Sequence, residues 1–305
     1  MKINRREFLK LTEIASVMAA GSVLVGCPPN SNPQPPPQTP KPMELDKAIQ
    51  TLRWVSYAPT NFNPNSGIYP NEASVKEDFA TLIDYGFEGL ITYESTHIFK
   101  DIPKIALDNG FKGVIMGIWD PNNNDEIARA KSSADYVSGY CVGNEGLEGR
   151  YTLNNLISAK NNLASTGKPV TTAEQIDHYF ATSDSRFNGL LDFGDFFLPN
   201  AHPFWFGIFN AQQAVTFVDD YIASLQQERE NKLILVKETG YPTSGDSRVS
   251  EQLQKDFYTG LAALNRINFS YFEAFDQYWK NWGAVEPHWG LFDVNRNPKL
   301  LAQSL

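Results

Sequence analysis

From residue 52 to residue 272 one alternation recurs: a short run of β-branched and aromatic residues, then a longer amphipathic stretch with helical spacing. Parallel strands need crossover connections of this kind, so the pattern selects a parallel α/β architecture. Strands are expected at 52–57, 89–93, 113–118, 137–142, 169–173, 195–198, 233–236 and 269–272. Helices are expected at 72–85, 98–109, 125–134, 153–164, 211–228 and 250–265. The sixth strand is the least defined, because residues 184–194 before it offer a short helix at best. Gly86, Gly110 and Gly167 sit where helices should stop before the next strand, as a left-handed terminal residue requires. The stretch from 45 to 305, about 260 residues, has the size of an eight-fold barrel. A doubly wound open sheet shares the alternation, but no GxGxxG or GxxxxGK[ST] loop follows any strand. The expected fold is a single-domain (β/α)8 TIM barrel.

The residues before that stretch read differently. Asn4-Arg5-Arg6-Glu7-Phe8-Leu9-Lys10 resembles a twin-arginine export signature, and a moderately apolar run to Gly26 follows it. The run is too short and too polar to span a membrane. Leu24-Val25-Gly26-Cys27 looks like a bacterial lipobox, which makes Cys27 the expected lipidation site and residues 1–26 a removable signal peptide. Residues 27–44, rich in Pro, Asn, Gln and Ser, have too little apolar surface for a core and are expected to form a tether. The anchor implies a bacterial cell envelope protein, and Pro28 in place of an Asp favours the outer membrane or cell surface over the inner membrane. The other cysteine, Cys141, lies in an apolar run and is expected in the core, with no disulfide.

Charge narrows the partners. The chain holds 26 Lys and Arg against 35 Asp and Glu, a net charge of −9. Loss of the signal removes four basic and two acidic residues and takes this to −11. Such a surface is wrong for neutralising phosphates, so nucleic acid is excluded as a partner, and the membrane is reached only through the lipid on Cys27. A monomer is expected.

Active sites of β/α barrels lie at the carboxyl ends of the strands, which directs attention to the polar residues there. They include Tyr93-Glu94 after the second strand, Gly143-Asn144-Glu145 after the fourth and Lys237-Glu238-Thr239-Gly240-Tyr241 after the seventh. The eighth continues into Glu273-Ala274-Phe275-Asp276-Gln277-Tyr278-Trp279-Lys280. A carboxylate pair at this end is the minimum equipment for cutting a glycosidic bond, one group protonating the leaving oxygen and the other attacking carbon or activating water. Glu145 and Glu238 are the candidate pair. The histidines His97, His178, His202 and His288 are dispersed, with no HExxH spacing, and no GxSxG elbow is present. No metal and no cofactor are expected.

Three ordered motifs resemble glycoside hydrolase family 17, the β-1,3-glucanases. Val142-Gly143-Asn144-Glu145 is similar to the family's acid/base motif, and Glu238-Thr239-Gly240-Tyr241-Pro242-Thr243-Ser244-Gly245 to its nucleophile motif. Phe272-Glu273-Ala274-Phe275-Asp276, with Trp279 and Lys280, resembles its strand-eight motif. The likeness runs from about residue 52 to the Trp289-Gly290-Leu291-Phe292 tail.

The resemblance implies a retaining hydrolase of laminarin-type β-1,3-glucan chains or oligosaccharides, with Glu238 as nucleophile and Glu145 as acid/base. It also implies that Asn144 holds the sugar 2-hydroxyl, that Tyr93 lies beside the nucleophile, and that Lys280 near Glu238 favours its charged form. Gln277 stands where many members carry a carboxylate, and Tyr241 replaces a common Trp while keeping an aromatic wall. Glu273 belongs to the same expected substrate-binding set. Among the aromatic residues near strand ends, Trp205 and Trp282 are the expected stacking platforms for sugar faces, with His202 shaping a subsite. Two other activities share these features: a β-1,3-glucan transglycosylase using the same two Glu residues, and a non-catalytic glucan-binding surface lipoprotein.

Overall fold

Seven strands run parallel in one sheet: β1 (Trp54–Ser56), β2 (Gly89–Ile91), β3 (Gly113–Ile118), β4 (Gly139–Asn144), β5 (Val170–Ala173), β6 (Val236–Thr239) and β7 (Phe269–Tyr271). The computed structural model describes residues 40–305; the expected signal segment, Cys27 and the tether up to residue 39 lie outside the described residues. The spatial order is β5-β4-β3-β2-β1-β7-β6. Its two edges, β5 and β6, are joined by the extended segment 195–201. Asp195 N donates to Val170 O at 2.9 Å and Asn200 N to Glu174 O at 2.9 Å on one side. Phe197 N donates to Leu233 O at 2.8 Å, Lys237 N to Pro199 O at 2.8 Å and Ala201 N to Glu238 O at 2.7 Å on the other. The ring is thereby closed, and the expected barrel is the observed architecture.

The sixth expected strand is this segment, held by isolated bridges instead of a continuous ladder. Pro199 in its middle has no N–H to donate. The seventh expected strand, 233–236, is shifted: β6 begins at Val236, so Lys237 and Glu238 lie inside it. The expected helix 98–109 is divided into a 3-10 turn (His97–Lys100) and α3 (Ile102–Asp108), because Pro103 cannot continue a preceding helix through its ring.

The remaining helices are α1 (Leu45–Thr51), α2 (Glu72–Asp84), α4 (Asn124–Ser132), α5 (Leu153–Leu163), α6 (Ala211–Glu228) and α7 (Glu251–Ala263). Local capping sets several starts: Asn71 Oδ1 accepts from Ser74 N at 2.9 Å, and Thr152 with Asn155 forms a capping box at α5.

Side chains pack in two places. Outside the staves, helices α4 to α7 cover the β3–β6 side and α2 with α3 covers β1, β2 and β7. Inside the ring, Trp54, Ile91, Ile115, Cys141, Ala173, Leu198 and Leu235 form one layer, and Leu45, Ala48 and Ile49 of α1 close it from the amino end. Trp54 donates its indole N–H to Ala48 O at 3.1 Å. Its ring occupies the space over Gly89, where any Cβ would lie 2.4 Å from an indole carbon. Among the described residues α1 thus covers the amino end of the barrel, and a cleft lies at the carboxyl ends of its strands.

Candidate active site

The carboxyl end of the barrel carries a cleft of about 850 Å³ lined by residues from nearly every stave, from Tyr57 to Trp289. Its floor is polar. At the end of β4 the register with β5 shifts between Cys141 and Asn144. Glu145 follows in a left-handed conformation, φ 49°, with its N–H on Ala173 O at 2.8 Å. A residue with a side chain is strained in that region and persists there only when its surroundings fix it. The buried Glu174 supplies the fixing: its Oε1 accepts from Gly146 N at 3.1 Å, Leu147 N at 3.3 Å and Tyr151 Oη at 3.0 Å, fastening the loop that leaves Glu145.

Glu238, on β6, is 5% exposed. Its Oε1 accepts from Lys237 Nζ, and its Oε2 lies 3.3 Å from His202 Nε2. The same Lys237 ammonium donates to Asn144 Oδ1 at 2.7 Å. Asn200 donates through Nδ2 to both Asn144 Oδ1 at 3.1 Å and Glu145 Oε1 at 2.8 Å. A continuous chain of hydrogen bonds therefore connects the two carboxylates through Asn200, Asn144 and Lys237.

This network gives the two groups opposite proton affinities. Burial pushes the Glu145 carboxyl upward, the Glu238 charge adds to that, and His202, Asn200 and Lys237 only partly oppose it. Burial also pushes Glu238 upward, but the Lys237 ammonium and His202 outweigh it and hold that carboxyl at about 2. Near neutral pH Glu238 is an anion, while Glu145 holds its proton more firmly than an ordinary glutamic acid.

Asn144, Tyr93, His202, Trp205, Lys280 and Trp282 all line the cleft, as do Glu145 and Glu238. Trp205 is 58% and Trp282 62% exposed, as open stacking platforms require. Tyr93 has its hydroxyl buried without a hydrogen-bond partner, and its ring lies beneath the Lys237 ammonium, 4.2 Å from the centroid.

Three expected substrate contacts are corrected. Tyr241 is fully buried with its hydroxyl donating to Ile208 O at 2.6 Å, so it packs under the rim and forms no cleft wall. Gln277 is also buried; its amide donates to Ala58 O at 3.0 Å and accepts from Trp279 Nε1 at 2.7 Å, which ties two loops together. Glu273 is fully buried and takes Lys280 Nζ at 2.7 Å. The cation on Glu238 is thus Lys237, not Lys280. Burial pushes the Glu273 carboxyl up to about 7, with Lys280 opposing. Asn200 and Lys237 are the site residues that sequence motifs did not single out as candidates. Their positions at strand ends, Asn200 two residues before His202 and Lys237 immediately before Glu238, are the available signal.

Two carboxyls shifted in opposite directions and lining one open cleft on a β/α barrel are the equipment of a glycoside hydrolase. Residues 55–290 match the BtgE/BtgC glycoside hydrolase domain, and the chain belongs to that family. It is 27% identical over 270 residues to a glucan 1,3-beta-glucosidase of Arthroderma benhamiae, covering 76% of this chain and 85% of the relative. A Saccharomyces cerevisiae glucan 1,3-beta-glucosidase is 26% identical over 284 residues, with coverages of 77% and 88%. Among solved structures, a family 17 β-1,3-glucanosyltransferase of Rhizomucor miehei superposes with TM-score 0.68 at 23% identity, covering 83% of this chain and 97% of that one. An endo-laminarinase of Formosa superposes with TM-score 0.73 at 21% identity, covering 86% and 88%. The expected relation to family 17 stands, and these likenesses support the barrel fold.

Proposed function

We propose that the protein is a retaining hydrolase of β-1,3-glucan in which Glu238 is the nucleophile and Glu145 the acid/base. The observation that carries this is the opposed shift of the two carboxyls, Glu238 lowered by Lys237 and His202 and Glu145 raised by burial and by the Glu238 charge, within one hydrogen-bond network. The β-1,3-glucan substrate is supported by the names of the A. benhamiae and S. cerevisiae relatives.

The double displacement follows from these states. A Glu238 oxygen bonds to the anomeric carbon as the glycosidic C–O bond breaks, and the leaving oxygen takes the Glu145 proton. Glu145, now a carboxylate, then removes a proton from water, which displaces Glu238 and regenerates both groups. With two donors on Asn144 Oδ1, the Asn144 amide N–H2 is the group that remains to donate to the sugar 2-hydroxyl. Trp205 and Trp282 stack on sugar faces, and Tyr93, His202 and Lys280 complete the lining. The enzyme works as a monomer, anchored through lipidated Cys27 to the outer membrane or surface of a bacterial cell envelope after removal of residues 1–26.

Laminarin with a reducing-sugar readout tests the reading, and mass analysis of products from a defined oligosaccharide ladder separates hydrolysis from transfer. Glu238→Ala should abolish turnover, whereas Glu145→Ala should retain glycosylation by aryl β-laminaribiosides, whose good leaving groups need no proton. With azide the Glu145 variant should give a β-glycosyl azide and the Glu238 variant an α-azide. Reversed anomers would exchange the two roles, and an inverted product from the wild type would remove the retaining mechanism.

A further inference from the structure

Lys237 is a lysine in the barrel interior. Side chains alternate along extended chain, so Lys237 of β6 faces the same inward side as Leu235, which precedes the strand and belongs to the central layer, and its side chain is 1% exposed. A buried ammonium is costly unless every donor is satisfied. Here its partners are Glu238 Oε1, Asn144 Oδ1 and the face of Tyr93, and all three belong to the cleft. The stem rises from the core and the charge ends under the reacting carboxylate.

We propose that Lys237 is a positioning residue that orients Asn144 and Glu238 together and, by keeping the Glu238 anion paired, favours release of the sugar from the covalent intermediate. The inference rests on the retaining hydrolase reading above. When Glu238 attacks, the anion moves: the Glu238 carboxylate becomes a neutral ester, and Glu145, having given its proton to the leaving oxygen, becomes the charged group. Lys237 then loses its ion partner while staying buried. When water, giving a proton to Glu145, displaces the ester, the Glu238–Lys237 pair re-forms. The ammonium thus penalises the intermediate relative to the free enzyme and accelerates its breakdown.

Other groups facing Glu238 pull in both directions. His202, from the segment after 195–201, favours the anion. Glu145 and Cys141 of the β4 side, Glu273 after β7 and Glu286 of the following loop, together with the Tyr93 hydroxyl after β2, lie near enough to feel its charge. Of these only His202 can be cationic, and it meets the opposite oxygen from Lys237.

Lys237→Met keeps the stem and removes the charge; Lys237→Gln is the second variant, keeping a donor. Using 2,4-dinitrophenyl β-laminaribioside, the acid limb of kcat/KM should rise by about one pH unit or more in both. The breakdown step should slow by about tenfold, seen as a glycosyl-enzyme trapped by rapid quench and weighed by mass spectrometry. An acid limb at the wild-type position with no accumulated intermediate overturns the assignment. Should neither variant fold, a 13C titration of the Glu238 carboxyl in the wild-type protein decides: a depressed midpoint supports the pairing, and an ordinary carboxylate midpoint overturns it. Failure of the wild type to cleave any laminari-oligosaccharide overturns the glucanase reading instead, and the titration still judges Lys237.

Discussion

At the scale of single residues, the ion pair that readies Glu238 for attack also couples folding to pH. Its carboxyl falls from an ordinary 4.5 to about 2 on folding. A depressed carboxyl adds stability above its unfolded value and loses it as pH falls toward the folded one. Relative to Glu238→Gln, which does not titrate, the wild type should therefore lose about 2 kcal/mol between pH 6 and pH 3. Urea unfolding of both proteins at the two pH values measures this, and a difference independent of pH would remove the depressed carboxyl. Glu145 and Glu238 were legible because each follows an apolar strand within a recognisable motif. Lys237 and Asn200 were not, because what defines them is proximity across the ring: Lys237 meets Asn144 from 93 residues away, and Asn200 meets Glu145 from 55. Tyr241 and Gln277 were misread for the same reason, since a strand-end position does not say whether a side chain turns into the cleft or beneath it.

At the scale of elements, the alternation of strand and helix carried most of the fold because each period is local, and α6 (Ala211–Glu228) lies where its amphipathic pattern put it. The parts that escaped depend on long-range partners. Segment 195–201 lies where a strand is expected at 195–198, but its pairing through isolated bridges instead of a ladder is set by β5 and β6 on either side. Helix α1 is only seven residues, too short to be stable on its own, and exists because Leu45, Ala48 and Ile49 seat in the barrel's amino end. Ile49, 1% exposed, is the residue to test. Ile49→Ala should leave a cavity costing about 3 kcal/mol, visible as a lowered Tm, while kcat/KM on oligosaccharides below the transition is unchanged. The reason is geometric: the plug lies at the opposite end of the barrel from the cleft. A loss of activity without a loss of stability would show that the two ends are coupled.

At the scale of the whole molecule, the proposed catalysis and the proposed address rest on separate stretches of sequence. Among the described residues the cleft is lined between Tyr57 and Trp289, whereas the proposed lipobox ending at Cys27 lies some thirty residues before that range. No helix among the described residues is long and apolar enough to cross a membrane. With the charge of −11 that the proposed signal removal would leave, the protein would also have no net electrostatic attraction to anionic lipid. Membrane attachment, in this reading, therefore rests on acyl chains, each buried methylene contributing about 0.8 kcal/mol, with more than one chain needed for a stable anchor. Cys27→Ala removes the acyl acceptor and nothing in the cleft. It should move the protein from the membrane pellet to the soluble fraction in cell fractionation, with kcat and KM on laminari-oligosaccharides unchanged. Detergent should release the wild type and make no difference to the variant. Sedimentation of Cys27→Ala with membranes to the wild-type extent would end the lipoprotein reading while leaving the glycoside hydrolase intact.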